Sequence, residues 1–207
     1  MKLLKSCAVA ALLLLGTSQS FGQIYLGGQT NYTNYAGYGL SFIGLGVHGD
    51  YVSDRLTYRA TLNFGFPRTY ERSYYLNSSS SQFPDSEVNG TEKYGVYNLW
   101  LDANYFFTGD GEDGGFYGKA GLGFSFLRVA NNLEEYNENM YYTNLDEREN
   151  YFQPILRFGL GYDIELDFGN VFVEGYGNLP ANTMNGVAID VQLPFSFAAA
   201  AGVRIPL

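Results

Sequence analysis

The 207-residue chain has one cysteine, one histidine and one tryptophan. A lone Cys7 excludes an intramolecular disulfide and a cysteine zinc cluster, and a lone His48 leaves little for metal chemistry. Charge is also scarce: 16% of the residues are charged, against roughly 25% in ordinary soluble domains. Basic residues are rarer than acidic ones, 12 against 21, for a net charge of −9. That balance argues against a nucleic-acid partner, which requires a broad basic face for its phosphates. Beyond residue 23 no apolar run approaches 18 residues, so no helix is expected to cross a membrane. There is no G-x-S-x-G elbow and no glycine-rich loop leading into a helix, and nothing in the sequence calls for a cofactor.

Aromatic residues and glycine are abundant, with 19 Tyr, 16 Phe and 26 Gly. The aromatic load argues against disorder. The glycines follow no triplet period, so the chain is not collagen-like.

Residues 1–23 read as a secretory signal peptide. Lys2 and Lys5 precede the apolar run Ala8 to Leu15, and the small or polar Gly16, Thr17, Ser18 and Ser20 follow. The run is too short to span a bilayer as a helix. Cleavage is placed near Phe21 to Gln23. Cys7 lies before the run, whereas a lipoprotein cysteine would follow it. Loss of Lys2 and Lys5 leaves 10 of the 12 basic residues against 21 acids, a net −11.

Residues 24–207 read as one domain with a period of two. In Leu56 to Phe66 the even positions are apolar or aromatic and the odd ones are Thr, Arg, Thr, Asn and Gly. Successive side chains of a strand point to opposite faces, so one face is apolar and the other polar. Leu156 to Phe168 repeats the pattern. Eight strands are predicted, at about 24–33, 38–52, 55–66, 94–107, 116–129, 152–166, 171–179 and 187–205. Their connections include short ones after the second, fourth and sixth strands and two long ones, 67–93 and 130–151. Long strands with tight turns on one rim and long polar loops on the other are the pattern of transmembrane β-barrels.

The polar face decides between a membrane barrel and a soluble sandwich. It mixes Gly44, Gly46, Gly121, Gly123, Gly159, Gly161 and Gly202 with His48 and with charged residues. Small residues beside long charged ones suit the narrow lumen of an eight-stranded barrel. On a water-facing surface so many glycines would only weaken the strands. The other face, for example Tyr97, Leu99, Leu101, Ala103, Tyr105 and Phe107, suits hydrocarbon with aromatic residues at headgroup level. In lipid the strands must close on themselves, because every backbone polar group needs a partner. The fold class expected is therefore all-β, an eight-stranded antiparallel up-and-down transmembrane β-barrel.

At this point the chain resembles the small eight-stranded outer-membrane barrels of Gram-negative bacteria, the OmpA/OmpX type. The terminal segment Phe195 to Leu207 alternates like the last strand that the barrel assembly machinery reads in that family, although Leu207 after Pro206 stands where a final Phe is usual. The resemblance implies location in the outer membrane, contact with its lipid and insertion by that machinery. Its members include adhesion and resistance factors, structural barrels, narrow pores and a few lipid-modifying enzymes.

Two groups of residues are candidates for function. The first is a lumen charge network of Arg59, Lys119, Arg157 and Arg204 facing Asp50, Asp102, Asp163, Glu165, Glu174 and Asp190. It would either plug the barrel with ion pairs or, with its six acids to four bases, line a narrow ion path. The second is the surface loop 130–151. Its Glu134, Glu135, Glu138, Asp146, Glu147 and Glu149 stand beside Tyr141 and Tyr142. Such a loop could contact an extracellular protein or surface ligand, with tyrosines as rigid contact area. Its acids could also hold Ca²⁺, although their spacing matches no EF-hand. The loop 67–93, with Ser78 to Ser81 and Asn89-Gly90, reads as flexible and exposed. His48 with Asp50 could act in acyl transfer only with a nucleophile in reach. The leading expectation is a monomeric, non-enzymatic barrel acting in envelope integrity, adhesion or surface interaction. The alternatives are a narrow pore, a lipid-directed enzyme, and a soluble secreted barrel with its apolar face inward around a ligand.

Overall fold

The computed structural model describes residues 22–36, 39–80, 84–143, 146–181 and 195–207. The expected signal segment up to residue 21, Asp190, and the start of the last predicted strand, 187–194, lie outside the described residues. The described residues form ten strands in chain order: β1 (Gln23–Tyr35), β2 (Leu40–Ser53), β3 (Leu56–Gly65), β4 (Arg68–Ser78), β5 (Ser86–Phe106), β6 (Gly114–Leu133), β7 (Tyr141–Tyr142), β8 (Arg148–Leu166), β9 (Gly169–Pro180) and β10 (Ser196–Pro206). Eight of them close an antiparallel barrel. β1 pairs with both β2 and β10, and the ring runs β1-β2-β3-β5-β6-β8-β9-β10.

The alternation of the sequence becomes the two walls of the barrel. On β3, Thr57, Arg59, Thr61 and Asn63 are buried inside while Leu56, Tyr58, Leu62 and Phe64 face out. Leu101 is 56% exposed on the outer wall and Arg204 is fully enclosed. Among the described residues, the outward positions of the eight barrel strands between Phe64, Tyr97, Phe126 and Phe152 at one rim and Ile24, Tyr105, Ile164 and Ile205 at the other carry no charged side chain. A continuous apolar wall on every strand far exceeds the few hundred Å² of apolar patch that a soluble monomer shows. The soluble alternative, with the apolar face inward, is therefore overturned: the charges are inside and the leucines and phenylalanines outside. The chain is a membrane β-barrel.

The tight turns lie at one rim. Asp54, in the left-handed region at φ 53°, turns β2 into β3, and Gly169, at φ 142°, starts β9; both conformations favour small or Asx-type residues. β1 begins and β10 ends at this same rim, where the Leu207 amide donates to the Ile24 carbonyl at 2.9 Å.

The opposite rim corrects the expectation of two irregular loops. Residues 68–78 form β4, and β5 begins at Ser86 rather than near 94. β5 pairs with β3 up to Phe64↔Tyr97 and with β4 from Arg68↔Tyr94 onward. β3 and β4 are thus one line of pairing interrupted at Pro67, which has no N–H to give the ladder. β6 continues to Leu133 and β8 starts at Arg148, so the expected loop 130–151 is strand at both ends. At its tip β7, Tyr141-Tyr142, pairs with Asn77 and Ser78 of β4. Of the residues that suggest a loop, Asn89 is paired with Ser73, and Asn77 to Ser80 sit at and just beyond the end of β4. Below them Tyr70, Tyr74, Leu76 and Val88 keep the period of two and share one inner face.

Candidate functional site

Inside the barrel, residues two apart on one strand share the lumen, and neighbouring strands bring opposite charges level. Asp50 accepts from Arg59 Nε and Nη2, both at 2.9 Å, and from His48 Nδ1 at 2.9 Å. Arg204 Nη1 stands 3.7 Å from Asp50, and its Nη2 is 2.5 Å from Asp163. Arg59 also donates from Nη1 to Glu174 at 2.5 Å. Glu174 accepts further from the Tyr117 hydroxyl at 2.9 Å and from Lys119 Nζ. Lys119 is 3.7 Å from Asp102, which accepts from Arg157 Nη1 at 3.2 Å. Arg157 also donates to the Asn178 side chain at 3.2 Å.

Each of these cations also lies on an aromatic face. Arg59 is 4.2 Å from the Phe172 ring centre, Arg157 3.5 Å from Trp100 and 4.1 Å from Tyr176, Arg204 4.8 Å from Tyr25, and Lys119 5.7 Å from Tyr176. Such contacts strengthen as water is removed. The sequence reading placed the aromatics on the lipid side and missed these. Their parity could have revealed them, since Trp100 precedes Asp102, Tyr117 precedes Lys119, and Phe172 and Tyr176 flank Glu174, each by two residues.

Of the six acids expected in the lumen, Glu165 is corrected. Glu165 shares the face of Asp163 but is exposed at the end of β8, level with Asn170, where the strand has already reached the rim. Asp190 lies outside the described residues. Among the described residues the lumen holds Arg59, Lys119, Arg157 and Arg204 against Asp50, Asp102, Asp163 and Glu174, four against four. In a narrow, enclosed space a neutral network costs far less than one with unpaired charge.

Above the charges the lumen becomes apolar. Tyr35, Leu40, Phe42, Tyr94, Val96, Leu127 and Val129 pack into one cluster, with Tyr70 and Tyr151 against it. Phe42 meets Tyr35 and Tyr94 edge-on at 5.8 and 6.5 Å, and Tyr70 meets Tyr94 at 5.7 Å. The Tyr70 hydroxyl accepts from the Ser41 amide at 3.3 Å, which ties β4 over the β1–β2 hairpin. The barrel is therefore stoppered by hydrocarbon and rings at the end away from the chain termini. Higher in this extension, burial and the neighbouring Glu92 carboxylate hold the Tyr74 hydroxyl above its ordinary value of 10.0.

His48 is buried, with its ring edge-on to Phe172 at 5.4 Å. Its Nε2 has no hydrogen-bond partner among the described residues, so no hydroxyl is hydrogen-bonded to that nitrogen.

The acidic residues of 130–151 spread over the extension. Glu134, Glu135, Glu138, Asp146 and Glu147 are exposed, Glu149 is half-buried, Tyr141 is half-buried and Tyr142 exposed. Glu138, Asp146 and Glu147 line a polar hollow of about 570 Å³ with Tyr136 and Arg148, while Glu134 and Glu135 do not. Asn131 fastens the return segment, its amide to the Glu147 carbonyl at 2.9 Å and its side chain to the Asp146 carbonyl at 2.8 Å. Among the described residues no three His, Cys, Asp or Glu side chains converge as a metal site would require.

A closed ring of eight strands, apolar outside and ion-paired inside, defines the small membrane β-barrels of the outer-membrane type. Among solved structures the fold is similar to Neisserial surface protein A, at 13% identity and a TM-score of 0.50 over 91% of this chain and 98% of that one. Also similar are the N-terminal β-barrel domain of Pseudomonas aeruginosa OprF (13%, TM-score 0.45, 90% and 100% covered) and Ail, the attachment invasion locus protein of Yersinia pestis (10%, 0.43, 89% and 95%). At these identities the likeness is one of fold alone. No protein-family model matches the sequence, and no curated protein does.

Proposed function

We propose that this chain is a non-enzymatic, monomeric barrel of a Gram-negative outer membrane. In this reading residues 1–23 export it, residues 24–207 form the barrel, and the barrel assembly machinery inserts it. Its working surface is the strand extension beyond the apolar stopper, where Glu134, Glu138, Tyr142, Asp146 and Glu147 meet an extracellular protein or surface ligand. The observation that carries this reading is the stopper itself. A lumen packed with Phe42, Tyr94, Val96 and Leu127 above an ion-pair network supports action at the exterior rather than through the barrel.

The test has three arms. Cell fractionation with gel migration before and after boiling should place the chain in the outer membrane as a heat-modifiable barrel; recovery in the soluble fraction would overturn the location. Planar-bilayer recording should give no steps above background, and steady conductance would return the narrow-pore reading. Deleting 134–147, which spares the paired ends of β6 and β8, should abolish retention of a basic protein probe such as lysozyme on cells while heat-modifiability persists. Unchanged retention would end the surface-interaction role.

A further inference from the structure

The chain is strongly acidic, yet three of its few cations meet on the outer wall. Lys93 of β5 and Arg148 of β8 stand level with Ala130 of β6 in one row. Arg128 lies two residues along β6 on the same outward face. All three are exposed, and all three line one hollow of about 310 Å³, together with Pro67, Gly95 and Tyr97. None of the three makes an ion pair among the described residues, whereas Arg72 nearby is paired with Glu92 at 3.3 Å. Glu71 sits level with Thr91, one outward step beyond Lys93, and on its far side Arg148 borders the polar hollow that holds Glu138, Asp146 and Glu147.

Directly toward the membrane lies the aromatic row Phe64, Tyr97, Phe126 and Phe152. The Phe126 ring lies tilted against Phe152 at 4.8 Å, and a second, mostly apolar hollow of about 190 Å³ opens between Tyr97, Phe126, Arg128, Asn150 and Phe152. Aromatic rows of this kind mark the level of lipid headgroups. The cations thus occupy the height at which a lipid presents its phosphate, with an apolar floor beneath for the start of its acyl chains. Three unpaired positive charges, two of them guanidinium forks, suit a doubly charged phosphate better than a single carboxylate.

We propose that Lys93, Arg128 and Arg148 form a binding site for the phosphate of a phosphorylated lipid in the surrounding leaflet. The site fixes one lipid against β5, β6 and β8 and sets the height of the barrel in the membrane. This rests on the membrane-barrel reading and on the extension being extracellular.

The experiment uses the refolded barrel in neutral detergent. Lipid A carrying its phosphates, lipid A stripped of them, and inorganic phosphate are titrated, and retained lipid is read by native mass spectrometry. A cation beside an anionic surface contributes about a five-fold gain in affinity, so three together give roughly a hundred-fold. Phosphorylated lipid A should be retained, and both the stripped lipid and the triple variant Lys93→Gln/Arg128→Gln/Arg148→Gln should weaken retention by about that factor. Should the triple variant not fold, each single variant is expected to lose about five-fold. Arg55→Gln at the opposite rim should leave retention unchanged. Equal retention by the triple variant, or an equal loss in Arg55→Gln, would overturn the site. Full displacement by millimolar inorganic phosphate would make it a site for free phosphate and overturn the lipid assignment. Failure of the membrane reading would show differently, as a chain that needs no detergent and lacks heat-modifiable migration.

Discussion

Arg59 is the side chain on which the lumen network turns, and Arg59→Met tests whether that network is dry. Its guanidinium joins Asp50, at 2.9 Å through two nitrogens, to Glu174 at 2.5 Å, and lies on Phe172. Methionine keeps most of the stem and removes the charge. Asp50 then keeps His48 and a more distant Arg204, and Glu174 keeps Lys119 and Tyr117. Breaking a buried ion pair by removing one partner costs about 3–5 kcal/mol, because a charge is left enclosed without compensation. Loss of the ring contact adds about 1 kcal/mol, and the remaining partners offset a similar amount. The expected loss is therefore about 3–5 kcal/mol. Equilibrium unfolding in micelles, followed by the fluorescence of the chain's one tryptophan, Trp100, measures it, with heat-modifiable migration confirming the starting fold. Arg59→Met/Glu174→Gln should recover part of the loss, since one of the two stranded carboxylates is then neutral. A loss below about 1 kcal/mol, the size of an exposed ion pair, would refute the reasoning, because it would mean that water fills the lumen and screens the network.

Three further outcomes follow from other parts of the molecule. Leu101→Arg, on the uncharged outer wall, should destabilise the bilayer-inserted barrel by about 2–4 kcal/mol, the cost of a cation near the bilayer midplane; no measurable change in urea titrations from vesicles would mean that the wall does not touch hydrocarbon. Gly161→Ala should cost about 1–3 kcal/mol by overpacking, because the Tyr117 ring lies where the new methyl group would go, and an unchanged unfolding midpoint would show that the ring can move aside. The neutral Tyr74 phenol is favoured in the folded extension, so its contribution is complete below pH 10.0, the ordinary value, and falls as pH rises beyond it. The tyrosinate absorbance lost in Tyr74→Phe should therefore belong to a group that ionises above 10.0, and ionisation at the ordinary value would contradict the desolvation of that hydroxyl.

The barrel was legible because a period of two is a local signal: Leu56 to Phe66 and Leu156 to Phe168 each announce both of their faces without outside information. The direction in which each face points was also legible, from glycines mixed with arginines on a wall that must be narrow. Less legible was everything that depends on which strands are neighbours. That Arg59 would lie between Asp50 and Glu174, 115 positions from the latter, follows from barrel closure and register, which no short window encodes. Rim positions also misled. Glu165 has the correct parity for the lumen, but parity does not tell where the wall ends. The hairpin of β4 and β5 was obscured because Ser78 to Ser81 suggest a turn whether they terminate a strand or fill a loop. Phe42, Tyr94, Val96 and Leu127 share the inward parity of the charged residues, yet apolar residues at those positions were not expected inside.

The placement of charge ties these features together. Among the described residues, enclosed cations are matched by enclosed acids, and the wall that meets hydrocarbon carries no charge. The surplus of negative charge is therefore pushed to the two ends: Asp54, Glu112, Asp113 and Glu165 at the rim of tight turns, and Glu87, Glu134, Glu138 and Asp146 on the extension. Acids at both ends resist being drawn into the bilayer, and so hold the apolar wall in register with it. Against that pattern the unpaired trio Lys93, Arg128 and Arg148 stands out by position. It lies at neither a tip nor the lumen but at the boundary between wall and extension, beside Tyr97. A cation there gains from an anionic headgroup what it would lose if moved one row toward the Phe126 level. The same three residues, moved to the hairpin tips, would only have reduced the acidity of the surface. Their clustering at headgroup height is what makes them a lipid contact rather than part of the solvated exterior.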